Sequence, residues 1–216
     1  MRTDGRQQLS GHRHFLDDLG SQPSYRLQRS WPGPAPICQA AGTGRQHTEC
    51  RLRVHSFPPI ASEMSRVLIL GTMPGGVSLR ERQYYAHPRN AFWRIVGEIL
   101  GFDPASPYEA RVEAMRSAAI ALWDVVKSCI RPGSMDTAIQ AYSVVPNDFA
   151  GFLAEHPQIE RICFNGARAE ALFMRHVRPR LSARPELRYL RLPSTSPAYA
   201  ALPFRAKLRV WQAIVP

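Results

Sequence analysis

The chain has 216 residues, enough for one full-sized domain with a proper core and too few for two. Its 28 Lys and Arg against 17 Asp and Glu give a formal charge of +11, which favours a polyanionic partner through phosphate attraction and counterion release. The four cysteines, Cys38, Cys50, Cys129 and Cys163, form no CxxC pair, and no apolar run approaches the roughly 18 residues of a membrane span. These features argue against a zinc or iron–sulfur centre, a disulfide framework and a membrane protein.

Residues 1–55 are rich in Gly, Pro, Gln, Ser and Arg, with few runs able to bury a face, and Trp31–Ile37 (WPGPAPI) is turn or polyproline II sequence. They are expected to form a disordered basic extension. Non-specific DNA contact is one role for it, and no role at all is the alternative. The N-terminus lacks the apolar stretch of a secretory signal, so a cytoplasmic protein is expected. A single domain over 56–216 is expected to begin near Phe57, where FPPI pins a short segment to the fold.

Arg66–Gly71 (RVLILG) is a short continuous apolar run, the pattern of a buried parallel strand. After a Gly/Pro loop, Asn90–Leu100 predicts an amphipathic helix with Phe92, Ile95, Val96 and Ile99 on one face. Pro107–Ser117 predicts another, with Pro near its start. Ala119–Val126 (AIALWDVV) reads as the second strand and its exit. Gly133–Ile139 reads as a helix start capped by Ser134, and Asn147–His156 as a short helix ending before Pro157. Ile159–Phe164 is the third strand, Gly166–His176 an Ala-rich helix behind it, Leu187–Leu192 an edge strand, and Tyr199–Val215 a closing amphipathic helix. This alternation predicts an α/β fold, a three-layer α/β/α sandwich around a short, mainly four-stranded parallel sheet.

The loops that leave the four strands should converge on one rim. In Gly71–Gly76 (GTMPGG) the glycines permit a tight turn with amides facing a ligand, although the loop is neither GxGxxG nor a P-loop. Tyr85 offers a ring face for a flipped base, or is an ordinary core aromatic. His87 can donate to a base or phosphate, or brace its own loop. Asn90 sits where a helix cap belongs, yet at a pocket wall its amide can align a water molecule. Asp124 can accept from a ligand, orient Asn90 or His87, or cap the residues after it. Asn165 can read a base edge bidentately, though Asn-Gly turns need no ligand. Ser194, Thr195 and Ser196 in Leu192–Tyr199 (LPSTSPAY) offer hydroxyls and amides to a phosphodiester backbone.

Taken together, LILGTMPGGVSL, QYYAHPRNAFW and LPSTSPAYA, with WDVV, GSMDTAI, PNDF and ICFNGARA between them, resemble the uracil-DNA glycosylase superfamily, and within it the hypoxanthine-DNA glycosylase branch. The resemblance runs from about Phe57 to the C-terminus. It implies a cofactor- and metal-free monofunctional glycosylase of base excision repair. Such an enzyme hydrolyses the N-glycosidic bond of deaminated bases, hypoxanthine above all, in double-stranded DNA, with single-stranded DNA as a further partner, and acts as a monomer away from membranes. Met73 stands where most branches keep a catalytic Asn or Asp, so the resemblance assigns catalysis to Asn90 and base stacking to Tyr85, while Met73, His87, Asp124 and Asn165 are expected to contact the base. Leu192–Tyr199, with Ser194, Thr195 and Ser196, matches the loop that pinches the DNA backbone, and Gly75 is expected to add a backbone contact. Leu192 replaces the His that supports a departing uracilate. The rival readings are a uracil or mismatch-specific glycosylase and a non-catalytic module that binds damaged DNA.

Overall fold

The computed structural model describes residues 53–181 and 184–216. Strand β1 (Arg53–His55) leads through the FPPI segment to β2 (Val67–Gly71), and helices α1 (Gly76–Glu81), α2 (Phe92–Leu100) and α3 (Tyr108–Ser117) follow. Next come β3 (Ile120–Asp124), β4 (Val126–Ile130), two 3-10 turns, β5 (Val145–Pro146), α4 (Phe149–Glu155), β6 (Arg161–Asn165) and α5 (Ala167–His176). Strand β7 (Arg188–Leu192) and helix α6 (Phe204–Trp211) close the fold.

The main sheet has the order β3-β2-β6-β7, and every pairing in it is parallel. Side chains alternate across a strand, so each apolar run feeds two cores. Leu68, Leu70, Ala121, Trp123, Ile162 and Phe164 pack on one face with α4 and α5 through Phe149, Phe152, Leu172 and Phe173. Val67, Ile69, Ile120, Leu122 and Cys163 pack on the other with α2, α3 and α6 through Phe92, Ile95, Val96, Met115 and Trp211. Burial on both sides explains why RVLILG and AIALWD show no polar alternation, and it produces the three layers expected. The register pairs Gly71 with Asp124 and Asn165 with Leu192, so the four strands end on one rim.

Several expectations need correction. The run AIALWDVV is not one strand with a loop: the chain turns at Val125, and β4 starts a second, antiparallel sheet of order β1-β4-β5. Val126, Ser128, Cys129 and Ile130 are buried and Lys127 alone in this strand is exposed, so it reads as a continuation of the apolar run before it. Strand β1 pairs Arg53 with Ile130, so regular structure reaches three residues into the segment expected to be an extension. Residues 1–52, with Cys38 and Cys50, lie outside the described residues.

Gly133–Ile139 forms only a 3-10 turn over Asp136–Ala138, and Ser134 does not cap it; its hydroxyl accepts instead from the N–H of Gly76, the first residue of α1, at 3.2 Å. The left-handed Gly133 (φ 74°) breaks the segment at its start, and it buries too little to sustain a helix. The C-terminal helix begins at Phe204 because Pro203, with φ −66° and no N–H, suits a helix start and not an interior. Helix α1 was not anticipated within the Gly/Pro loop. The FPPI segment is pinned as expected: Ile60 exchanges backbone hydrogen bonds with Leu122 at 2.9 and 2.8 Å, and the Trp123 indole donates to the Phe57 carbonyl at 3.1 Å. Among the described residues no helix is long and apolar enough to cross a membrane.

Trp211 is fully buried, meets Phe92 edge to face at 5.8 Å, and donates its indole N–H to the Pro193 carbonyl at 2.9 Å. It therefore ties the last helix both to the core and to the loop after β7. Trp211→Ala is expected to destabilise the fold by about 3–5 kcal/mol, read as a lowered urea midpoint.

Candidate active site

A cavity of about 760 Å³ opens on the rim where the parallel strands end. All ten residues singled out from the sequence line it: Met73, Gly75, Tyr85, His87, Asn90, Asp124, Asn165, Ser194, Thr195 and Ser196. The roles their geometry permits differ from one to the next.

Tyr85 forms a wall. Its ring stacks on Phe92 with centroids 4.0 Å apart and planes 16° from parallel. Its backbone is left-handed at φ 54°, which costs an L-residue about 1–2 kcal/mol. Neighbouring contacts hold it there. The Tyr84 carbonyl accepts from the Trp93 indole at 2.8 Å, the Tyr84 hydroxyl donates to the Phe57 or Pro58 carbonyl, and the Ala86 N–H donates to Ser78 Oγ at 3.2 Å. Burial, with the nearby Asp124 charge adding to it, pushes the Tyr85 phenol far above its ordinary value, so it stays protonated.

Asp124 is buried at the floor, with 3% of its surface exposed. Its Oδ2 accepts from the Ser56 hydroxyl at 2.9 Å. Burial raises its pKa to about 7, opposed by the Ser56 hydrogen bond, reinforced by Asp136 and opposed again by Arg131. No bond joins Asp124 to Asn90 or His87, so of the expected roles only the ligand-facing one stays open. Gly71 makes this floor possible. A Cβ there would lie 2.4 Å from Asp124 Oδ1 and 2.8 Å from the Tyr85 hydroxyl, so both oxygens converge above its bare Cα.

Asn90 does cap α2, since its Oδ1 accepts from the Phe92 N–H at 3.0 Å. That bond fixes the side chain and leaves the second lone pair and the NH2 group for the cavity. His87 braces its loop, its Nδ1 accepting from the Arg89 N–H at 3.1 Å, which leaves Nε2 to face outward.

Asn165 is a strut and not a free reader. Its Nδ2 donates to the Tyr85 hydroxyl at 3.0 Å and to Thr195 Oγ1 at 2.9 Å, while Oδ1 accepts from the Thr195 N–H at 2.9 Å. Both ends of the amide are engaged, so bidentate base reading would break three bonds. Thr195 is likewise corrected: it is 1% exposed, and its carbonyl accepts from the Ala91 N–H at 3.0 Å, so it joins loops and offers little to a phosphate. Ser194 and Ser196 are half-buried, each accepting from an N–H two residues on. Gly166, at φ 98°, lets this loop close in; a Cβ there would meet Ser194 Cβ at 2.9 Å. Met73 is 6% exposed and packs into the core beneath its loop, so it contributes an apolar wall. Gly75 stands at the open start of α1 with nothing near its Cα face.

Sequence reading missed one side of the cavity. Ser134 to Thr137 line it, as do Arg89 and Arg168. Beneath them Arg131 is buried, with Nη2 donating to the Pro74 carbonyl at 2.6 Å and Nη1 3.8 Å from Asp136 Oδ1. It thereby couples the GTMPGG loop to the turn after β4. The Pro132-Gly133 pair directly after a strand was the available signal that this segment is a rim loop.

The family model described as the uracil DNA glycosylase superfamily matches residues 58–215. The chain is 40% identical over 119 residues to a hypoxanthine DNA glycosylase of Methanosarcina barkeri, an alignment covering 55% of this chain and 74% of that protein. It is also 40% identical over 114 residues to one of Methanosarcina acetivorans, covering 52% and 71%. Among solved structures it is similar to the solution NMR structure of a Methanosarcina acetivorans protein provisionally named a uracil DNA glycosylase. That likeness has a TM-score of 0.61 and 31% identity, and covers 75% of this chain and 98% of the other.

The floor geometry is directly testable. Gly71→Ala forces Asp124 Oδ1 and the Tyr85 hydroxyl apart, and overpacking of this kind is expected to cost about 1–3 kcal/mol in a denaturant titration.

Proposed function

The chain belongs to the uracil DNA glycosylase superfamily, and on that premise we propose that it is a monofunctional DNA glycosylase that removes deaminated bases from DNA, hypoxanthine first. The observation that carries this reading is the rim cavity, where a tyrosine face, a buried carboxyl and a fixed carboxamide meet in one concave site. The names of its Methanosarcina relatives support hypoxanthine as the base.

Deoxyinosine pairs weakly, so turning it out of the duplex costs less than for a normal base. The extruded base stacks on Tyr85, whose ring is backed by Phe92. Arg89 and Arg168 at the cavity wall attract the flanking phosphates, with Ser194, Ser196 and Gly75 as shorter contacts. As the C1′–N9 bond lengthens, the sugar gains oxocarbenium character and the DNA phosphates stabilise it.

Asn90 holds the water. Its Oδ1 is oriented by the Phe92 N–H and retains a lone pair for a water proton, so it contributes position and not proton abstraction. The water oxygen bonds to C1′ while the C1′–N9 pair leaves with the purine. One water proton passes to the purine through solvent, and the other stays on the new 1′-hydroxyl. The Gly71–Gly76 loop carries no lysine for a Schiff base, so the product is an abasic site.

A uracil preference is disfavoured because Leu192 is an apolar, 1% exposed residue of the core and has no hydrogen bond to offer a uracilate. We further propose that it acts on double-stranded DNA as a monomer, in the cytoplasm, without a metal or cofactor.

Single-turnover assays on duplexes containing inosine, uracil, xanthine or no lesion, with alkaline scission of abasic sites, test the reading. Inosine is expected to be cleaved fastest. Asn90→Ala is expected to lower that rate at least about 100-fold, in the range of a lost positioning group, while loss of the cap costs about 0.5–2 kcal/mol of stability. A folded Asn90→Ala protein with normal turnover would overturn the catalytic assignment, and cleavage of uracil alone would move the substrate.

A further inference from the structure

We propose that Asp124 acts as a hydrogen-bond donor to the lactam oxygen of the flipped base, so that it distinguishes a deaminated purine from adenine and sets an alkaline limit on the reaction. This inference rests on the glycosylase reading and names how its pocket selects a base.

The argument begins at the floor. Asp124 Oδ1 and the Tyr85 hydroxyl crowd above Gly71, and both belong to the cavity lining. Asp124 Oδ2 is already turned to Ser56, which leaves Oδ1 as the atom available to a ligand. The Tyr85 hydroxyl accepts from Asn165, so its own proton is likewise free for the cavity. A base stacked on the Tyr85 ring brings one edge to Asp124 Oδ1.

Protonation decides what they recognise. A neutral Asp124 presents an O–H donor to that edge. The O6 of hypoxanthine accepts from such a floor. The amino group of adenine cannot accept from that O–H and leaves the donor unmet. Once ionised, Asp124 only accepts, and its negative charge opposes the charge that gathers on the departing purine. Burial pushes Asp124 up to about 7, so the neutral form is present at neutral pH and is lost as pH rises. DNA phosphates at the cavity mouth favour the proton further, so the limit in the complex lies at or above that value.

Other charged groups face Asp124. Asp136, from the turn after β4, raises its pKa, and the Arg131 guanidinium lowers it. Tyr84 and Tyr85 are both neutral, their phenols pushed upward by burial. His55, beside Ser56, is exposed and titrates below the ordinary imidazole value, on the wrong side to supply an alkaline limit.

The test is the single-turnover rate on an inosine duplex from pH 6 to 8.5, below the range in which the inosine base itself loses its N1 proton, with enzyme in saturating excess. The wild-type rate is expected to be level at low pH and then to fall about tenfold per pH unit. Asp124→Asn supplies an N–H donor that does not titrate, and it is expected to keep measurable cleavage with no alkaline limb. Ser56→Ala removes the hydrogen bond that favours the carboxylate, and it is expected to move the limb to higher pH. A limb unchanged in folded Asp124→Asn, or inosine cleavage by the wild type with no limb at all, would overturn the proposal while leaving the glycosylase reading intact. If Asp124→Asn does not fold, an unmoved limb in Ser56→Ala overturns it instead. Wild-type protein that binds DNA yet releases no base at any pH would refute the glycosylase reading itself, and this inference with it.

Discussion

Parallel hydrogen bonding across β3-β2-β6-β7 obliges four strands to end at the same edge, and every functional feature of the molecule follows from that edge. Helices cover both faces of the sheet, so its carboxyl rim is where loops can gather around a ligand without exposing the core. The register is fixed at Gly71 beside Asp124 and Asn165 beside Leu192, which decides which residues face one another across the site. A slip of one residue in β3 would bury Asp124 among aliphatic side chains and turn Trp123 toward the cavity.

The rim is held stiff by polar struts and not by loop composition. The Asn165 amide joins Tyr85 to Thr195, and Thr195 in turn accepts from the start of α2. Arg131 fastens the Pro74 carbonyl from below. These bonds are buried or partly buried, and where burial is complete an unmet partner costs about 1–3 kcal/mol, so they favour a single arrangement. They also offset the left-handed backbone of Tyr85, a strain that survives only where the surroundings leave the residue no alternative. A pocket prepared in this way has little to reorganise when a base enters it.

Most of the fold was legible because the strands are buried on both faces, and VLILG and IALWD carry that burial as continuous apolar runs. The second sheet was not, because VKSCI follows Asp124 with a single intervening residue and merges with the strand before it. The membership of the site was also legible, since residue types such as Tyr85, Asn90 and Asp124 at strand ends mark a rim. What each does there was less so. Asn165 and Thr195 have the chemistry of ligand contacts, yet they satisfy each other, and only spatial proximity across thirty residues reveals it. The Ser56 bond to Asp124 was invisible for the same reason, as was the place of Arg168 at the cavity wall, whereas the Pro132-Gly133 pair did mark the rim loop that holds Ser134–Thr137.

Ser56 directly follows β1 and precedes the FPPI segment, so the entrance of the chain into its main sheet runs against the deepest carboxyl of the cavity. The backbone N–H of Ser56 is fixed at the same time to the Lys127 carbonyl of β4 at 2.9 Å. The small antiparallel sheet is therefore a bracket that fixes where one hydroxyl stands. Substitutions in β1 or β4, which line no part of the cavity, can tune the acidity of the floor without altering a single residue of its wall. Variation in such a peripheral strand gives a lineage a way to adjust the working pH of its pocket while its lining stays the same.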